Sequence, residues 1–263
     1  MENGTVTIEI DGRGVATVTM NNPEKHNAFD DAIIAELTQA FHLVANDDAV
    51  RVVVLASNGK SFSAGADLNW MKRMADYSYE ENLRDAAALA EMLKVLNFMP
   101  KPTIARVQGA AFGGAVGLVS CCDMAVAAPR AGFCLSEVKI GLIPATISPY
   151  VVAAIGNRAS RRYFTTAERF SAETAKDLGL VSEVVDAEEL DNTITALVDS
   201  LLTNSPAAVQ AAKQLVFDVA EREITETLIN DTCERIAAIR VSPEGQEGLS
   251  AFLQKRTANW IQE

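Results

Sequence analysis

The groups best placed to do chemistry in this sequence are peptide N–H groups rather than side chains. Residues 61–68, SFSAGADL, and residues 107–127, VQGAAFGGAVGLVSCCDMAVA, each pass from an apolar run through small residues into a helical pattern. Such junctions leave backbone donors unpaired and aimed at a ligand. Gly113, Gly114 and Gly117 have no Cβ to hold a ligand away from the chain. Two such loops converging on one oxygen would polarise a carbonyl. A proton carrier is at hand in Glu137, which lies in CLSEVKIG between Leu135 and Val138, where desolvation raises a carboxyl toward the working pH of a general acid or base.

The elements that must hold these groups follow from periodicity. Residues 5–10 and 15–20 read as strands around the turn Asp11-Gly12-Arg13-Gly14. Asp30 or Asp31 can cap a helix bearing Ile33, Ile34, Leu37, Ala40, Phe41 and Val44 on one face. Residues 50–56, VRVVVLA, form a run suited to burial on both faces of a parallel sheet. Leu83, Ala86, Ala87, Ala90, Leu93 and Leu96 mark the apolar face of a long helix, ended at Pro100 and Pro102. Further strands are expected at 103–107, 124–128 and 132–135, with a helix starting from Phe112. From about Ala145 the pattern is helix after helix, at 147–155, 159–165, 172–177, 188–202, 206–221, 224–239 and 244–260. The order strand, loop, helix predicts an α/β core, and the absence of a Pro- or Ser-rich linker predicts a helical extension clasped to it.

Composition narrows the function. The net charge of −12 over 263 residues argues against a nucleic-acid partner, which needs a dense basic face. No run is long and apolar enough for a membrane span, and the N-terminus lacks a signal-peptide pattern, so a cytoplasmic protein is expected. Cys121, Cys122, Cys134 and Cys233 lack C-x-x-C spacing and read as reduced core thiols. Two histidines, His26 and His42, exclude a His-rich metal site, and no metal is expected.

The segments NNPEKHNAFD, SFSAGADL, VQGAAFGGAVGL, CCDMAVAAPRAGFCLSEVKIGLIPATISP, AKDLGLVSEVV and EGLSAFLQKRTANW, in this order, resemble the enoyl-CoA hydratase/isomerase (crotonase) family. The resemblance implies a crotonase-like α/β core of repeated β-β-α units with a C-terminal helical region. It divides the chain into an acyl-CoA-binding core over 1–200 and a helical trimerisation region over 201–263. It implies an acyl-CoA thioester substrate, coenzyme A being part of that substrate rather than a cofactor, and assembly as a homotrimer or homohexamer. Its oxyanion hole falls on the N–H groups of Ala66 and Gly114. The carbonyls of Ser63 and Ala64 would hold the adenine, Lys25 would lie at the CoA entrance, and Lys255 and Arg256 would add charge for the 3′-phosphate. Gly65, Asp67, Leu68, Trp70, Gly113 and Gly117 complete the implied binding set, with Trp70, Met71 and Met74 near the acyl end.

The chain departs from the family at its catalytic carboxylates. Typical hydratases of this type carry two glutamates; the second corresponds to Glu137, and the first position is Gly117, which has no side chain to move a proton. Hydration with Glu137 alone is one expectation. A double-bond isomerase, needing a single base, is another, and a silent acyl-CoA-binding scaffold a third. Within the family, SCCDMAVA and FCLSEVKIGLIPATISPYVV are most similar to bacterial methylglutaconyl-CoA hydratases.

Overall fold

The computed structural model describes residues 4–261 of the chain. Strands β1 (Val6–Ile10) and β2 (Val15–Met20) form the expected antiparallel hairpin, with Val6 opposite Met20 and Ile10 opposite Ala16. Asp11 closes the turn by accepting from the N–H groups of Arg13 and Val15, each at 2.9 Å. Helix α1 (Asp31–Asn46) starts where Asp30 Oδ1 accepts the Ile33 N–H at 3.1 Å, and all six predicted residues of its inner face are buried. The chain returns as β3 (Val52–Ser57), parallel to β2 and buried at every residue.

Helices α2 (Leu68–Ala75) and α3 (Tyr79–Asn97) follow, then β4 (Thr103–Val107), β5 (Ala111–Phe112), α4 (Gly114–Cys121), β6 (Met124–Ala127) and β7 (Gly132–Cys134). After a short 3-10 turn at Glu137–Ile140 come α5 (Ser148–Thr166), β8 (Phe170–Ser171), α6 (Ala172–Leu178) and β9 (Glu183–Val184). Helices α7 (Leu190–Leu202), α8 (Pro206–Val219), α9 (Glu226–Val241) and α10 (Pro243–Gln254) end the chain. The main sheet has the order β1-β2-β3-β4-β6-β9, parallel except for the β1–β2 pair, and β5-β7-β8 form a smaller second sheet. One face of the main sheet packs on α1, α3, α4 and α5; the other packs Val52, Val54, Ile104 and Val126 on Leu190, Ile194 and Val198 of α7.

Several expectations are corrected. The predicted apolar face of α3 is buried only toward its end, at Met92, Leu93 and Leu96, and Leu83 is exposed. The two helices expected over 147–165 are present as the two halves of α5, but they meet directly at the non-helical backbone of Gly156, φ 76°, with no longer gap between them. The last helix stops at Gln254 because Lys255 turns into the left-handed region, φ 54°. Two short strands, β8 and β9, fall where only helices were expected. The four cysteines are all free, but only Cys121 and Cys134 are buried, Cys122 is half-buried, and Cys233 is exposed on α9 rather than in the core.

Candidate active site

The two small-residue loops lie side by side because the backbone stitches them. Ser63 N–H donates to Ala110 O at 3.0 Å and Phe112 N–H to Ser63 O at 3.1 Å. The first loop is also held from the other side, where Phe29 N–H donates to Gly65 O at 2.9 Å and Asp67 N–H to Phe29 O at 3.0 Å. Successive residues of extended chain point their N–H groups to opposite sides. With Gly65 and Asp67 both turned to Phe29, the Ala66 N–H faces the other way, toward the cavity that Ala66 lines.

The second donor comes from α4. Gly114 is its first residue, so its N–H has no intrahelical acceptor. Gly113 caps the helix at φ 54°, ψ −122°, backbone suited to glycine, and its own N–H goes to Cys134 O at 2.8 Å. No protein acceptor is present for the Ala66 or Gly114 N–H among the described residues. A Cβ on Gly65 would lie 2.8 Å from Phe112 O, and one on Gly114 would lie 2.8 Å from the Phe29 ring, so neither loop tolerates a side chain at its closest approach. Helix α4 is buried on all sides, which sets the positive end of its dipole inside the protein.

Glu137 opens the 3-10 turn after β7, beside this helix start: a Cβ built on Gly113 would sit 3.3 Å from Glu137 Oε1. Its Oε2 is buried and has no hydrogen-bond partner. Burial pushes the carboxyl above its ordinary value, opposed only by its own backbone N–H. A partly desolvated carboxyl with one unpaired oxygen, next to two unpaired peptide donors, is an arrangement that can serve as a base beside an oxyanion site.

Ala66, Gly114 and Glu137 line one cavity of about 610 Å³ together with Phe29, Trp70 and Met74, with Asp85, Ala86 and Leu89 of α3, and with the loop from Leu142 to Ile147. A larger groove of about 1120 Å³ lies elsewhere, along Ile8, Ile34 and Leu43. Neither peptide loop reaches it, so size does not select the site.

The remaining expected residues divide. Trp70, 4% exposed, and Met74 line the cavity, while Met71 does not. Asp67 caps α2, accepting from Asn69 N–H at 2.8 Å and Trp70 N–H at 3.1 Å, and its Oδ2 takes Lys25 Nζ at 3.3 Å. Burial would raise this carboxyl, but the Trp70 and Asn69 N–H groups and Lys25 outweigh it and hold it below the ordinary value. Lys25 is thereby drawn to the edge of the first loop. Ser63 is buried, its Oγ accepting the Gly65 N–H and its carbonyl committed to Phe112; Ala64 keeps its N–H on His26 O. Leu68 is 73% exposed and outside the cavity wall. Arg256 is clamped by both oxygens of Glu247, at 2.6 and 2.7 Å.

Gly117 does not line the cavity. A Cβ there would meet Ile147 Cγ2 at 2.4 Å, Ile147 Cβ at 2.9 Å and Leu93 Cδ2 at 3.3 Å, so the volume of the absent glutamate is filled with hydrocarbon. Asp85 belongs to no motif, yet it lines the cavity and accepts the Trp70 Nε1–H at 3.1 Å. In the sequence it is one acidic residue on a polar stretch of helix, and only the packing of α2 on α3 distinguishes it.

A buried helix start beside the Glu137 carboxyl is an arrangement suited to an enzyme that moves a proton while peptide groups stabilise an oxyanion. Residues 11–263 match the family model for enoyl-CoA hydratase/isomerase. An enoyl-CoA hydratase from Shewanella pealeana has the same fold at a TM-score of 0.95 and 47% identity, with 98% of this chain and 97% of that one covered. The 2,3-dehydroadipyl-CoA hydratase of Escherichia coli K12 is 30% identical, with 94% of each chain covered. The short-chain-enoyl-CoA hydratase of Clostridium acetobutylicum is also 30% identical, over 97% of each. The chain belongs to the enoyl-CoA hydratase/isomerase family and is an enzyme of the hydro-lyase type.

Proposed function

We propose that the chain adds water reversibly across the C2–C3 double bond of a 2-enoyl-CoA, and that the acyl group is 3-methylglutaconyl or a close branched dicarboxylic analogue. The observation that carries the reaction is the Glu137 carboxyl, whose buried Oε2 has no partner, beside two peptide N–H groups that have no protein acceptor. The thioester oxygen lies between the Ala66 and Gly114 donors. Glu137 takes one proton from a water, whose oxygen bonds to C3 while the π pair moves onto the thioester oxygen as an enolate. The enolate then collapses, and C2 takes that proton from Glu137. One water is gained and the carboxylate is restored. A donor of this kind is commonly worth ~3–4 kcal/mol in the transition state.

At the other end of the substrate, Lys25 offers a point charge to a CoA phosphate and the Ala64 carbonyl an acceptor to the adenine. The dicarboxylic acyl group is supported by the segments SCCDMAVA and FCLSEVKIGLIPATISPYVV and by the Escherichia coli relative, whose name specifies a dicarboxylic enoyl thioester. The protein would act as a homotrimer or homohexamer built through 201–263.

One observation favours a second reading. With Ile147 filling the place of the first glutamate, the thioester end holds a single carboxylate, which suffices to move a proton between C2 and C4. Purified protein incubated with 3-methylglutaconyl-CoA in ordinary and deuterated water separates the two. A mass gain of one water is expected. Constant mass with deuterium incorporation and a displaced double bond would make the enzyme an isomerase, and inertness toward this substrate and crotonyl-CoA alike would sink both.

A further inference from the structure

We propose that Asp85 reads the far end of the acyl group, and that it does so as a carboxylic acid whose O–H is donated to the substrate's distal carboxylate. This rests on the dicarboxylic reading above. Asp85 is not a substitute for the missing glutamate. Leu93, which touches the Gly117 position, lies eight residues further along α3, so the two levels are separated by about 12 Å of helix. Asp85 lines the cavity at a level of α3 well away from position 117, and in the proposal the acyl chain ends at that level.

The polar groups at that end are almost all acceptors. Trp70 spends its Nε1–H on Asp85 Oδ1, and Asp85 Oδ2 takes no protein donor among the described residues. Asn82, one turn earlier on the same helix, donates its amide hydrogens to Tyr77 O and Ser78 O, both at 3.1 Å, and turns only a carbonyl oxygen to other partners. Thr146 brings one hydroxyl from the loop between Leu142 and Ile147. No Lys, Arg or His lines the cavity among the described residues.

A substrate carboxylate entering this end meets Asp85 with no cation between them, and the pair can coexist only by sharing a proton. The charged groups around Asp85 allow it to carry that proton. Arg73 of α2 is held by Asp31 of α1, and Glu137 of the same cavity is itself a carboxylate. Burial pushes the Asp85 carboxyl above the ordinary aspartate value, against Trp70 N–H, with Asp31 adding to the rise and Arg73 opposing it. Binding then takes one proton from solvent wherever free Asp85 is ionised.

The test compares two substrates, methylglutaconyl-CoA with its distal carboxylate and crotonyl-CoA without one. Their KM values are followed from pH 5 to 9 in wild type, Asp85→Asn and Arg73→Gln. In wild type the dicarboxylic KM should climb relative to the crotonyl KM as pH rises through the Asp85 value, approaching tenfold per pH unit. In Asp85→Asn, whose amide donates at every pH and whose oxygen still accepts from Trp70, that climb should vanish. Its dicarboxylic KM at pH 9 should then fall at least tenfold below wild type. Parallel KM profiles for the two substrates in wild type would overturn the proposal. So would a tenfold rise of the dicarboxylic KM in Arg73→Gln with no change in Asp85→Asn, which would give the carboxylate to Arg73. Hydration of crotonyl-CoA with no turnover of methylglutaconyl-CoA at any pH would instead remove the dicarboxylic reading, and the role of Asp85 with it.

Discussion

In the proposed reaction a single residue, Glu137, carries the proton chemistry, and its burial makes two predictions with opposite faces. Replacing it with Gln should lower kcat by about two orders of magnitude or more while KM stays near wild type, as expected of a group acting in the transition state. In wild type, kcat/KM should fall as pH drops through the Glu137 value, and that acid limb should lie above the ordinary glutamate range because burial raises the carboxyl. The stability effect runs the other way. The ionised form is penalised only in the fold, so the wild type has its full stability below the ordinary value of 4.5 and loses some as pH rises through the folded-state value. Glu137→Gln is neutral throughout and should melt about 1–3 °C above wild type at pH 8, with the difference closing by pH 4. Thermal scans at the two pH values decide it: a variant that melts lower than wild type at pH 8 would mean that the carboxylate has a partner in solution. Glu137, Ala66 and Gly114, which the structure brings to one cavity, could be named as candidates from the sequence because each sits in a short contiguous motif. Asp85 could not, since its meaning depends on an indole fifteen residues away on another helix.

At the scale of elements, the site is the meeting of α4 with two loops, and the missing carboxylate is a packing event between α4 and the start of α5. Glutamate at position 117 would drive its Cβ into Ile147 and Leu93, where overpacking costs about 1–3 kcal/mol or more. Gly117→Glu alone should therefore lose stability and gain no activity. Trimming Ile147 to Gly in the same chain removes both the Cγ2 and the Cβ that crowd position 117, and the pair should recover much of the lost stability while hydrating crotonyl-CoA at least tenfold faster than Ile147→Gly alone. The two substitutions share one cavity, so strong non-additivity is expected in a double-mutant cycle of melting temperature and kcat. Additive effects would show that Ile147 does not occupy the carboxylate's place. This coupling was invisible in the sequence, where Gly117 and Ile147 stand thirty residues apart and Ile147 reads only as the start of a helix. The positions of β1 to β4 and the inner face of α1 were readable because period and capping are local. The outward face of α3 misleads for the converse reason: its alanines and Leu83 repeat at helical spacing, yet little packs against the first three turns.

For the whole molecule, the last three helices pose an imbalance that a second copy of the chain would relieve. Helix α8 contributes no residue to the buried core, α9 only Leu228 and α10 only Ala251, while Ile224, Val241, Phe252 and Leu253 stand largely exposed. The helices are nevertheless tied to their own core. The Arg51 guanidinium donates to the carbonyls of Leu202, Asn204 and Trp260 at 2.8–3.0 Å, and Lys213 pairs with Asp123 at 2.7 Å. A region fixed in place with its apolar surface outward is built for a contact, and contacts that repeat head to tail close into rings. The proposed trimer or hexamer therefore predicts a sedimentation mass three or six times 28.2 kDa. Phe252→Asp with Leu253→Asp places charge on the exposed face of α10 without touching the core, so the product should fold, sediment as a monomer, and melt several degrees below wild type. A wild type that sediments as a monomer at micromolar concentration, melting where the double variant melts, would show that this surface has some other use. Activity measured across the same dilution series adds the last discrimination: if it falls as the assembly dissociates, the ring holds the walls of the acyl cavity in place, and if it is constant, each chain carries a complete site.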